Sequence, residues 1–185
     1  TPHTLAEFHG RKDTRTMGCR RAPTSLRPTS ALLGCTPLSL MQEIIAPISR
    51  ALLKAELTPE LKLRQTNKAG NEIYIITHHN APNVMREIGR LREIAFRAAG
   101  GGTGLPLDLD EFDTCEHPYY QLIVWNPDAE EILGGYRFLP PSDIRFQDNG
   151  QPRLATGHMF QFSDNFIENF LPQTVELGRS FVTLE

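Results

Sequence analysis

The chain has 185 residues and a formal net charge of −3, with 39% hydrophobic and 22% charged residues. This length favours one domain with a core of its own, and the composition excludes a collagen-like or wholly disordered protein. The sequence contains no run of about 18 apolar residues, which excludes a membrane-spanning helix within it but leaves peripheral membrane contact open.

Charge is unevenly distributed along the chain. Residues 1–40 carry six Lys or Arg against Glu7 and Asp13, whereas residues 41–185 carry the other thirteen against twenty acids. The formal charges of the two parts are therefore +4 and −7. An acidic globular part argues against a nucleic-acid partner.

The cysteines and histidines show no disulfide or metal signature. Cys19, Cys35 and Cys115 are an odd number and form no Cys-x-x-Cys pair. Neither a disulfide framework nor a structural zinc site is expected, and a reducing, cytoplasmic location is the default. His78 and His79 fall at a strand end, where successive rings point to opposite faces, so we predict no metal site.

Residues 1–40 differ in character from the rest. They alternate Arg, Thr, Ser, Pro and Gly without a helical or strand period, which predicts disorder. An Arg- and Ser-rich, acid-poor segment is also typical of organelle transit peptides, although this one is hardly amphipathic. A third interpretation is a non-native extension upstream of a start at Met41. We therefore divide the chain into an N-terminal extension, 1–40, and one domain, 41–185.

From Met41 onward the pattern becomes regular. Apolar residues at helical spacing predict a short helix from Ile44 to about Lys54, and Thr58-Pro59-Glu60 predicts another helical turn. Residues 71–77 contain a near-continuous apolar run, which is typical of a strand buried on both faces.

The clearest predicted element is a helix over residues 80–100. Asn80 is a suitable N-cap, Pro82 suits the first turn, and Gly100-Gly101-Gly102 predicts the C-terminal end. Apolar side chains share one face: Val84, Ile88, Leu91, Ala95 and Ala98. Charged side chains share the other face: Arg86, Glu87, Arg90, Glu93 and Arg97.

The second half of the chain is predicted to contain a loop, a hairpin, a short helix and a strand. Residues 119–125 and 132–139 predict two strands joined by a turn at 126–128. A short helix begins at Ser163, and residues 174–184 predict a final strand. This order predicts an α+β fold with a mixed, mostly antiparallel sheet flanked by helices. Because the chain stops just after an apolar strand, we expect it to be truncated at its C-terminus.

The stretch Leu107–Asp113 concentrates four carboxylates in six residues, 108–113. It does not fit a calcium loop, because Phe112 and Asp113 stand where an oxygen ligand and a glycine are needed. A solvated charged turn is the ordinary interpretation. Apolar residues alternate with the acids, however, so we expect some of these carboxylates to lie beside buried apolar groups.

Two later predicted strands carry arginines, whose positive charge is opposite to that of the acidic stretch. Arg137 lies in an otherwise uncharged strand, where its guanidinium needs a carboxylate, either from the acidic stretch or from an anionic ligand. In the last strand, alternation places Glu176, Gly178 and Ser180 on one face. Arg179 falls on the other face. Gly178 in mid-strand predicts a bulge or close approach by a ligand.

Four segments carry a pattern in common with a known group of enzymes. They are Arg92 with Phe96, Asp110-Glu111-Phe112-Asp113, Gly135-Tyr136-Arg137-Phe138-Leu139-Pro140, and Glu176-Leu177-Gly178-Arg179. Their order and spacing resemble the acyl-homoserine-lactone synthases, a branch of the GNAT-like acyltransferases. The resemblance is closer to a sister branch, the ornithine and glycine N-acyltransferases of aminolipid synthesis, often called hemolysin-like. Asp113-Thr114-Cys115-Glu116-His117 and Glu176-Leu177-Gly178-Arg179-Ser180 resemble that branch, and the match covers roughly residues 84–184.

The resemblance implies transfer of a fatty acyl group from an acyl carrier protein's phosphopantetheine thioester, or from acyl-CoA, to the amine of glycine or ornithine. It implies catalytic roles for Arg179 and for Glu176, the expected base that deprotonates the ammonium. It implies a set of substrate-binding residues: Arg92, Phe96, Asp110, Asp113, Arg137, Gly178 and Ser180. No metal and no tightly bound cofactor is expected. The expected partners are the acyl carrier protein, the amino acid and, peripherally, the inner face of the membrane.

Two alternatives stay open. One is an acyl-homoserine-lactone synthase, which uses S-adenosylmethionine as acceptor. The other is a non-catalytic module of the same fold that binds an acyl group or an amino acid. The family's usual tryptophan after the first helix is missing here, with Gly100-Gly101-Gly102 in that region, so the shape of the acyl pocket is not predicted.

Overall fold

The helices and strands follow the predicted order, with two short additions. The structure, a computed structural model, describes residues 41–184. The predictions for residues 1–40 therefore lie outside the described residues. In chain order the helices and strands are α1 (Arg50–Glu56), β1 (Lys62–Gln65), β2 (Glu72–Ile76), α2 (Pro82–Ala98), α3 (Glu111–Thr114), β3 (Tyr120–Asn126), β4 (Glu131–Leu139), α4 (Asp164–Asn169) and β5 (Glu176–Val182).

The five strands form one sheet in the order β1-β2-β3-β4-β5. Every pairing between neighbours is antiparallel. The predicted α+β architecture is confirmed, and β3 and β4 agree with the predicted hairpin to within one residue at each end. Strand β1 and helix α3 are too short to produce a sequence period, and the sequence did not predict them.

Helix α2 covers one face of the sheet. Alternate residues of β3, namely Gln121, Ile123 and Trp125, are buried, as the period of a strand with one covered face requires. Ile123 and Trp125 belong to the same apolar cluster as Ile88 of α2. On the opposite face, the Val182 side chain of β5 is 73% exposed. The polar residues of the covered face therefore lie between the helix and the sheet.

Helix α1 begins later than the sequence predicted. The predicted start at Ile44 is wrong, because the helix begins at Arg50. Pro47 has no backbone N–H to donate and disfavours a helical conformation for the residue before it. The backbone N–H of Ile45 instead donates to the Pro106 carbonyl (3.3 Å), so this segment packs along the loop that follows α2.

The N-terminus of α2 is closed by a carboxylate from α1. Asn80 was the predicted cap, but its Oδ1 accepts from Thr77 N (2.9 Å) and closes the preceding turn. The first free N–H groups of the helix, on Asn83 and Val84, donate to the Glu56 carboxylate at 2.8 and 2.9 Å. A carboxylate at this end is also favoured by the helix dipole.

Helix α2 ends just before Gly100-Gly101-Gly102, as the sequence predicted. Gly100 has φ +80°, which a residue without Cβ adopts at little cost. The N–H of Gly101 donates to the Phe96 carbonyl (2.8 Å) and that of Gly100 to the Arg97 carbonyl (2.9 Å). This is the Schellman arrangement, which satisfies carbonyls at the helix end.

Two acids on the charged face of α2 are buried. Glu93 is fully shielded and accepts from Thr103 N (3.0 Å) and Gly104 N (2.8 Å). Glu87, also buried, accepts from Ile48 N at 3.0 Å. These carboxylates therefore hold two flanking loops against the helix.

Strand β5 contains one residue more than its partner β4 at mid-length. The register pairs Arg137 with Gly178 and Gly135 with Phe181, so two residues of β5 oppose one of β4. Arg179 lies in this bulge with φ 52°, an uncommon conformation for a residue with a Cβ. The predicted bulge near Gly178 is present. The extra residue also reverses the faces beyond it, so the prediction that Ser180 shares a face with Gly178 is wrong.

Candidate active site

The acidic stretch folds into a closed turn. Asp110 precedes α3 and its carboxylate accepts from Phe112 N at 2.9 Å, while the Asp113 carboxylate accepts from Asp110 N at 3.1 Å. This reciprocal capping box satisfies N–H groups at both ends of the turn. The acids are therefore held in fixed positions, which the sequence pattern for a solvated turn did not predict.

A completely buried ion pair anchors this turn to α2. Arg92 Nη1 lies 2.9 Å from Asp113 Oδ2, and both side chains have 0% exposure. Arg92 Nη2 also donates to Gln121 Oε1 of β3 at 2.6 Å. Burial lowers the pKa of Arg92, although the adjacent Asp113 acts in the opposite direction. The pair joins helix, turn and sheet into one network.

Arg137 of β4 binds the same turn from the sheet. Its Nη1 donates to Asp110 Oδ1 and Oδ2 at 2.7 and 2.8 Å and lies 3.4 Å from Asp113 Oδ1. Its guanidinium carbon lies 5.6 Å from the ring centroid of Phe112 and 5.3 Å from that of Tyr119. Both distances suit cation–π contacts. Ion pairing and aromatic packing therefore hold the Arg137 side chain in position.

Arg179 completes the network from β5. Its Nη1 lies 2.8 Å from Asp108 Oδ1 and its Nη2 3.3 Å from Asp110 Oδ2. The bulge turns this side chain toward the acids, where strict alternation would have turned it to the open face. The full network contains three arginines and three aspartates: Arg92, Arg137, Arg179, Asp108, Asp110 and Asp113. Its formal charge is zero.

The aspartates differ in electrostatic environment. Burial raises the pKa of Asp108 and outweighs the nearby charges of Arg179 and Arg92. Burial also acts to raise the pKa of Asp110, but hydrogen bonds and charge from Arg137, with a contribution from Arg179, hold it below the usual value. Asp110 is therefore held as an anion.

A cavity of about 400 Å³ opens beside this network. It lies between the start of β5, α3 and the turn at residues 155–159, which a small apolar cluster including Leu154 and Leu171 holds in place. Its lining residues include Asp110, Glu111, Tyr119, Arg137, Thr156, His158, Glu176, Gly178 and Arg179.

Glu176 is bound by hydrogen-bond donors from two directions. Its Oε1 accepts from Thr156 N (2.9 Å) and Thr156 Oγ1 (2.7 Å), and its Oε2 accepts from Tyr119 Oη and from Ala155 N (3.2 Å). Burial and the bond to Glu176 raise the pKa of Tyr119, which keeps the phenol protonated as a donor. A carboxylate has about four lone-pair positions, so these donors occupy all of them.

A second titratable pair lines the cavity. His158 Nε2 lies 3.5 Å from Glu111 Oε1, and Arg153 Nη2 lies 3.3 Å from Glu111 Oε2. The imidazole ring packs edge-on against Phe112, with ring centroids 5.5 Å apart. Both members of the pair are more than half exposed, at 66% for His158 and 59% for Glu111. Both side chains are therefore accessible from solvent and also line the cavity.

The predicted site residues divide into two groups. Five line the cavity: Asp110, Arg137, Glu176, Gly178 and Arg179. Four do not: Arg92, Phe96, Asp113 and Ser180. Arg92 and Asp113 are completely buried, so they support the lining residues from behind. Phe96 packs against the main apolar cluster, and Ser180 is exposed beyond the bulge.

Several cavity residues were not singled out from the sequence. Glu111 lies inside the predicted motif Asp110-Glu111-Phe112-Asp113 and Tyr119 begins a predicted strand, but neither was predicted to be a site residue. Thr156 and His158 lie in a turn without a period, about twenty residues before Glu176, and only the tertiary structure brings them together. The arrangement presents fixed carboxylates and guanidinium groups in one cavity, which suits a small ligand that carries both an ammonium and a carboxylate.

The sequence matches a family that agrees with this fold and site. Residues 91–185 match the family described as acetyltransferase (GNAT) domain. The chain therefore belongs to the GNAT acetyltransferase family, and the predicted resemblance to GNAT-like acyltransferases is confirmed.

Two relatives are closely similar in sequence. The chain is 74% identical over 145 residues to the glycine N(alpha)-acyltransferase of Bacteroides thetaiotaomicron. The matched region covers 78% of this chain and 43% of that protein. It is 66% identical over 145 residues to the glycine N(alpha)-acyltransferase of Phocaeicola vulgatus, with 78% and 44% coverage. The chain thus spans less than half the length of these relatives.

No solved structure matches the sequence. Within residues 41–184, every helix is too short or too polar to cross a lipid bilayer.

Proposed function

We propose that this domain belongs to an N-acyltransferase that moves a fatty acyl group from a carrier thioester to the amine of glycine. The observation that carries the proposal is a cavity lined by both carboxylates and guanidinium groups, in a chain 74% identical to a protein named glycine N(alpha)-acyltransferase. Glycine at neutral pH is a zwitterion that matches both kinds of group. The product, an N-acyl amino acid, is an aminolipid or its precursor.

The acidic lining supports binding of an ammonium group. Asp110, Glu111 and Glu176 line the cavity with Arg137 and Arg179, so the lining has a formal charge of −1. The ammonium must lose a proton before its nitrogen can attack a thioester, which requires an acceptor within reach. The sequence predicts Glu176 as this acceptor. Its lone pairs are all occupied, so it must first release one of its donors to act.

The arginines support binding of the acceptor's carboxylate. Arg137 Nε is buried without a hydrogen-bond partner among residues 41–184. It lies 3.7 Å from the position that a Cβ on Gly178 would occupy, so the absence of a side chain keeps space free beside this donor. A small movement of Gly178 would let Arg137 Nε donate to a ligand oxygen. Arg179, with a side chain 31% exposed, offers a second cation at the same place.

The donor and the partners are also part of the proposal. An acyl carrier protein supplies the acyl group on phosphopantetheine, with acyl-CoA as the alternative donor, and the reaction takes place in the cytoplasm. Met159 and Phe160 beside the cavity are 72% and 60% exposed, which supports contact with a fatty chain at the inner membrane face. Comparison of acyl transfer from the carrier thioester and from acyl-CoA tests which donor is used.

The decisive experiment is identification of the product. The protein is incubated with a hexadecanoyl carrier-protein thioester and with glycine, ornithine or S-adenosylmethionine, and the products are analysed by mass spectrometry. We expect N-hexadecanoylglycine and no lactone. A homoserine lactone would contradict the proposal in favour of a lactone synthase. Binding of glycine without any product would indicate a non-catalytic module.

A variant pair ties the activity to this cavity. Glu176→Gln places an amide NH2 against donors that now face an oxygen, and we expect it to lower kcat/KM for glycine at least tenfold. Glu168→Gln changes an exposed acid of α4 and serves as the matched control. Equal activity of the two variants would place the acceptor site elsewhere.

A further inference from the structure

The free titratable pair of the cavity has no role in the buried ion network. His158 and Glu111 both line the cavity, with Nε2 and Oε1 3.5 Å apart. Arg153 holds the other oxygen of Glu111 at 3.3 Å. Glu111 therefore lies between a guanidinium group and an imidazole, and a carboxylate in this position can orient a histidine.

The other cavity carboxylates have no lone pair left for a substrate proton. Each oxygen of Glu176 accepts two hydrogen bonds, from Thr156 at Oε1 and from Tyr119 and Ala155 at Oε2. Asp110 is equally occupied: Oδ1 accepts from Phe112 N and Arg137 Nη1, and Oδ2 accepts from Arg137 Nη1 and Arg179 Nη2. A proton acceptor that needs no prior bond breaking must therefore come from another group.

We propose that His158 is the catalytic base that takes the proton from the acceptor's ammonium group, with Glu111 as its positioning residue. This inference rests on the proposed acyl transfer to an amino acid. The role requires the tautomer with its proton on Nε2, the ring nitrogen 3.5 Å from Glu111 Oε1, which leaves the lone pair of the neutral ring on Nδ1. Histidine is the side chain whose charge changes most readily near neutral pH, where an ammonium group is still protonated. Glu176 then acts by holding Tyr119 and the turn at residues 155–156.

The reaction balances with one histidine. His158 Nδ1 takes one proton from the ammonium, and the freed nitrogen lone pair forms the C–N bond at the thioester carbonyl. The C–S bond breaks, and the sulfur leaves with the electron pair. The second proton, lost from the nitrogen as the amide forms, goes to that sulfur and yields the free thiol. The imidazolium then returns its proton to solvent through the exposed side of the ring.

The charges around His158 fit this role. Glu111 is the nearest acid and Arg153 its other partner, while Phe112 supplies an apolar surface under the ring. Across the same cavity lie the carboxylates of Asp110 and Glu176 and the guanidinium groups of Arg137 and Arg179. Glu111 stabilises the imidazolium that forms when the proton is transferred.

The test is a pH–rate series on four proteins. Acyl transfer from hexadecanoyl-pantetheine to glycine is measured from pH 6 to pH 9 for the wild type, His158→Asn, Glu176→Gln and the control His117→Asn. His117 is exposed and lies outside the cavity. We expect His158→Asn to lower kcat about 100-fold at neutral pH. The defect should shrink toward pH 9, because more glycine is then present as free amine.

A purely structural role would give a different result. A His158→Asn defect of the same size at every pH, or activity within twofold of wild type throughout, would overturn the inference. A defect that shrinks at high pH for Glu176→Gln alone would assign the base to Glu176. Glu111→Gln, as a positioning variant, should lower kcat less than His158→Asn, and this defect should also shrink toward pH 9.

A binding measurement separates this inference from the proposed function. The ring-proton NMR signals of His158 and His117 are followed while glycine is added. We expect only the His158 signals to move. If the wild type transfers no acyl group to glycine and the His158 signals still move, the proposed function fails and the acceptor site stands. If those signals do not respond to glycine, the assignment of His158 is overturned.

Discussion

Arg92 and Asp113 face each other between α2 and the sheet, 2.9 Å apart, with neither side chain exposed to solvent. The pair lies outside the cavity, yet it fixes the turn that carries Asp110, because Asp113 also accepts from the Asp110 N–H. The positions of the cavity groups therefore depend on an ion pair that a ligand cannot reach.

Removal of one partner should be costly. Arg92→Met leaves Asp113 buried without its cation, and we expect a loss of about 3–5 kcal/mol in the free energy of unfolding. Urea denaturation measures this, with the exposed Arg86→Met on the same helix as control. Arg92→Met combined with Asp113→Leu should lose less than the sum of the single changes. Additive losses would show that the two charges do not interact.

Gly135 of β4 should not tolerate a side chain. A Cβ at this position would lie 2.3 Å from the Leu122 carbonyl oxygen on the neighbouring strand, and backbone cannot move aside easily. We expect Gly135→Ala to lower the free energy of unfolding by about 1–3 kcal/mol. Gly101→Ala is the matched control, because an added Cβ there meets nothing within 4 Å. Equal thermal denaturation midpoints for both variants would contradict the strand pairing.

The Tyr119 hydroxyl should contribute more to the free energy of unfolding than the hydroxyl of an exposed tyrosine. It donates to Glu176 and accepts from Ala155 N at 2.9 Å, so Tyr119→Phe removes both bonds and leaves Ala155 N and Glu176 Oε2 only their longer contact of 3.2 Å with each other. We expect a loss of about 1–3 kcal/mol in stability and a mobile turn at residues 155–156. Tyr136→Phe, on the open face of the sheet, should change stability by less than about 0.5 kcal/mol. Chemical denaturation distinguishes the two.

Glu93 should make stability depend on acid. Burial raises its pKa, but hydrogen bonds from Arg97, Thr103 and Gly104 outweigh burial and bring the pKa from 4.5 to about 2. A group whose pKa is lower in the folded state stabilises fully above its unfolded pKa and loses that contribution as the pH falls. We therefore expect a loss of roughly 3 kcal/mol between about pH 4.5 and pH 2.

The same residue supplies the control for this prediction. Glu93→Gln should be less stable at neutral pH, because Thr103 N and Gly104 N lose a charged acceptor, and its stability should fall less with acid. Glu168→Gln, at an exposed position of α4, should follow the wild-type curve. Parallel curves for Glu93→Gln and wild type would refute the assignment.

The sequence predicted best where a period extends over several turns or residues. Helix α2 and the strands β3 and β4 have such periods, and their bounds were predicted closely. The predicted start of α1 was wrong because it rested on the spacing of apolar residues alone. Pro47 lies within that spacing and disfavours a helix there. One extra residue in β5 was enough to move Ser180 to the opposite face.

The site was predictable only in part, for a related reason. Charge matching between the acidic stretch and Arg137 indicated the ion network. Glu176 was found through its motif, but its donors on residues 155–156 lie in a turn that has no sequence period. The buried acid Glu93 was placed with the charged helix face, because nothing in the local sequence shows which loop backbone will need an acceptor.

The carboxylate that closes α2 has a kinetic consequence. Glu56 lies in α1, and its oxygens bind the amide protons of Asn83 and Val84. When α1 lifts from the domain, these protons lose their acceptor and become open to exchange with deuterium, even if the rest of α2 stays intact. Their exchange rates therefore report the opening of α1 as a unit, whereas amides inside α2 report the unfolding of the whole core.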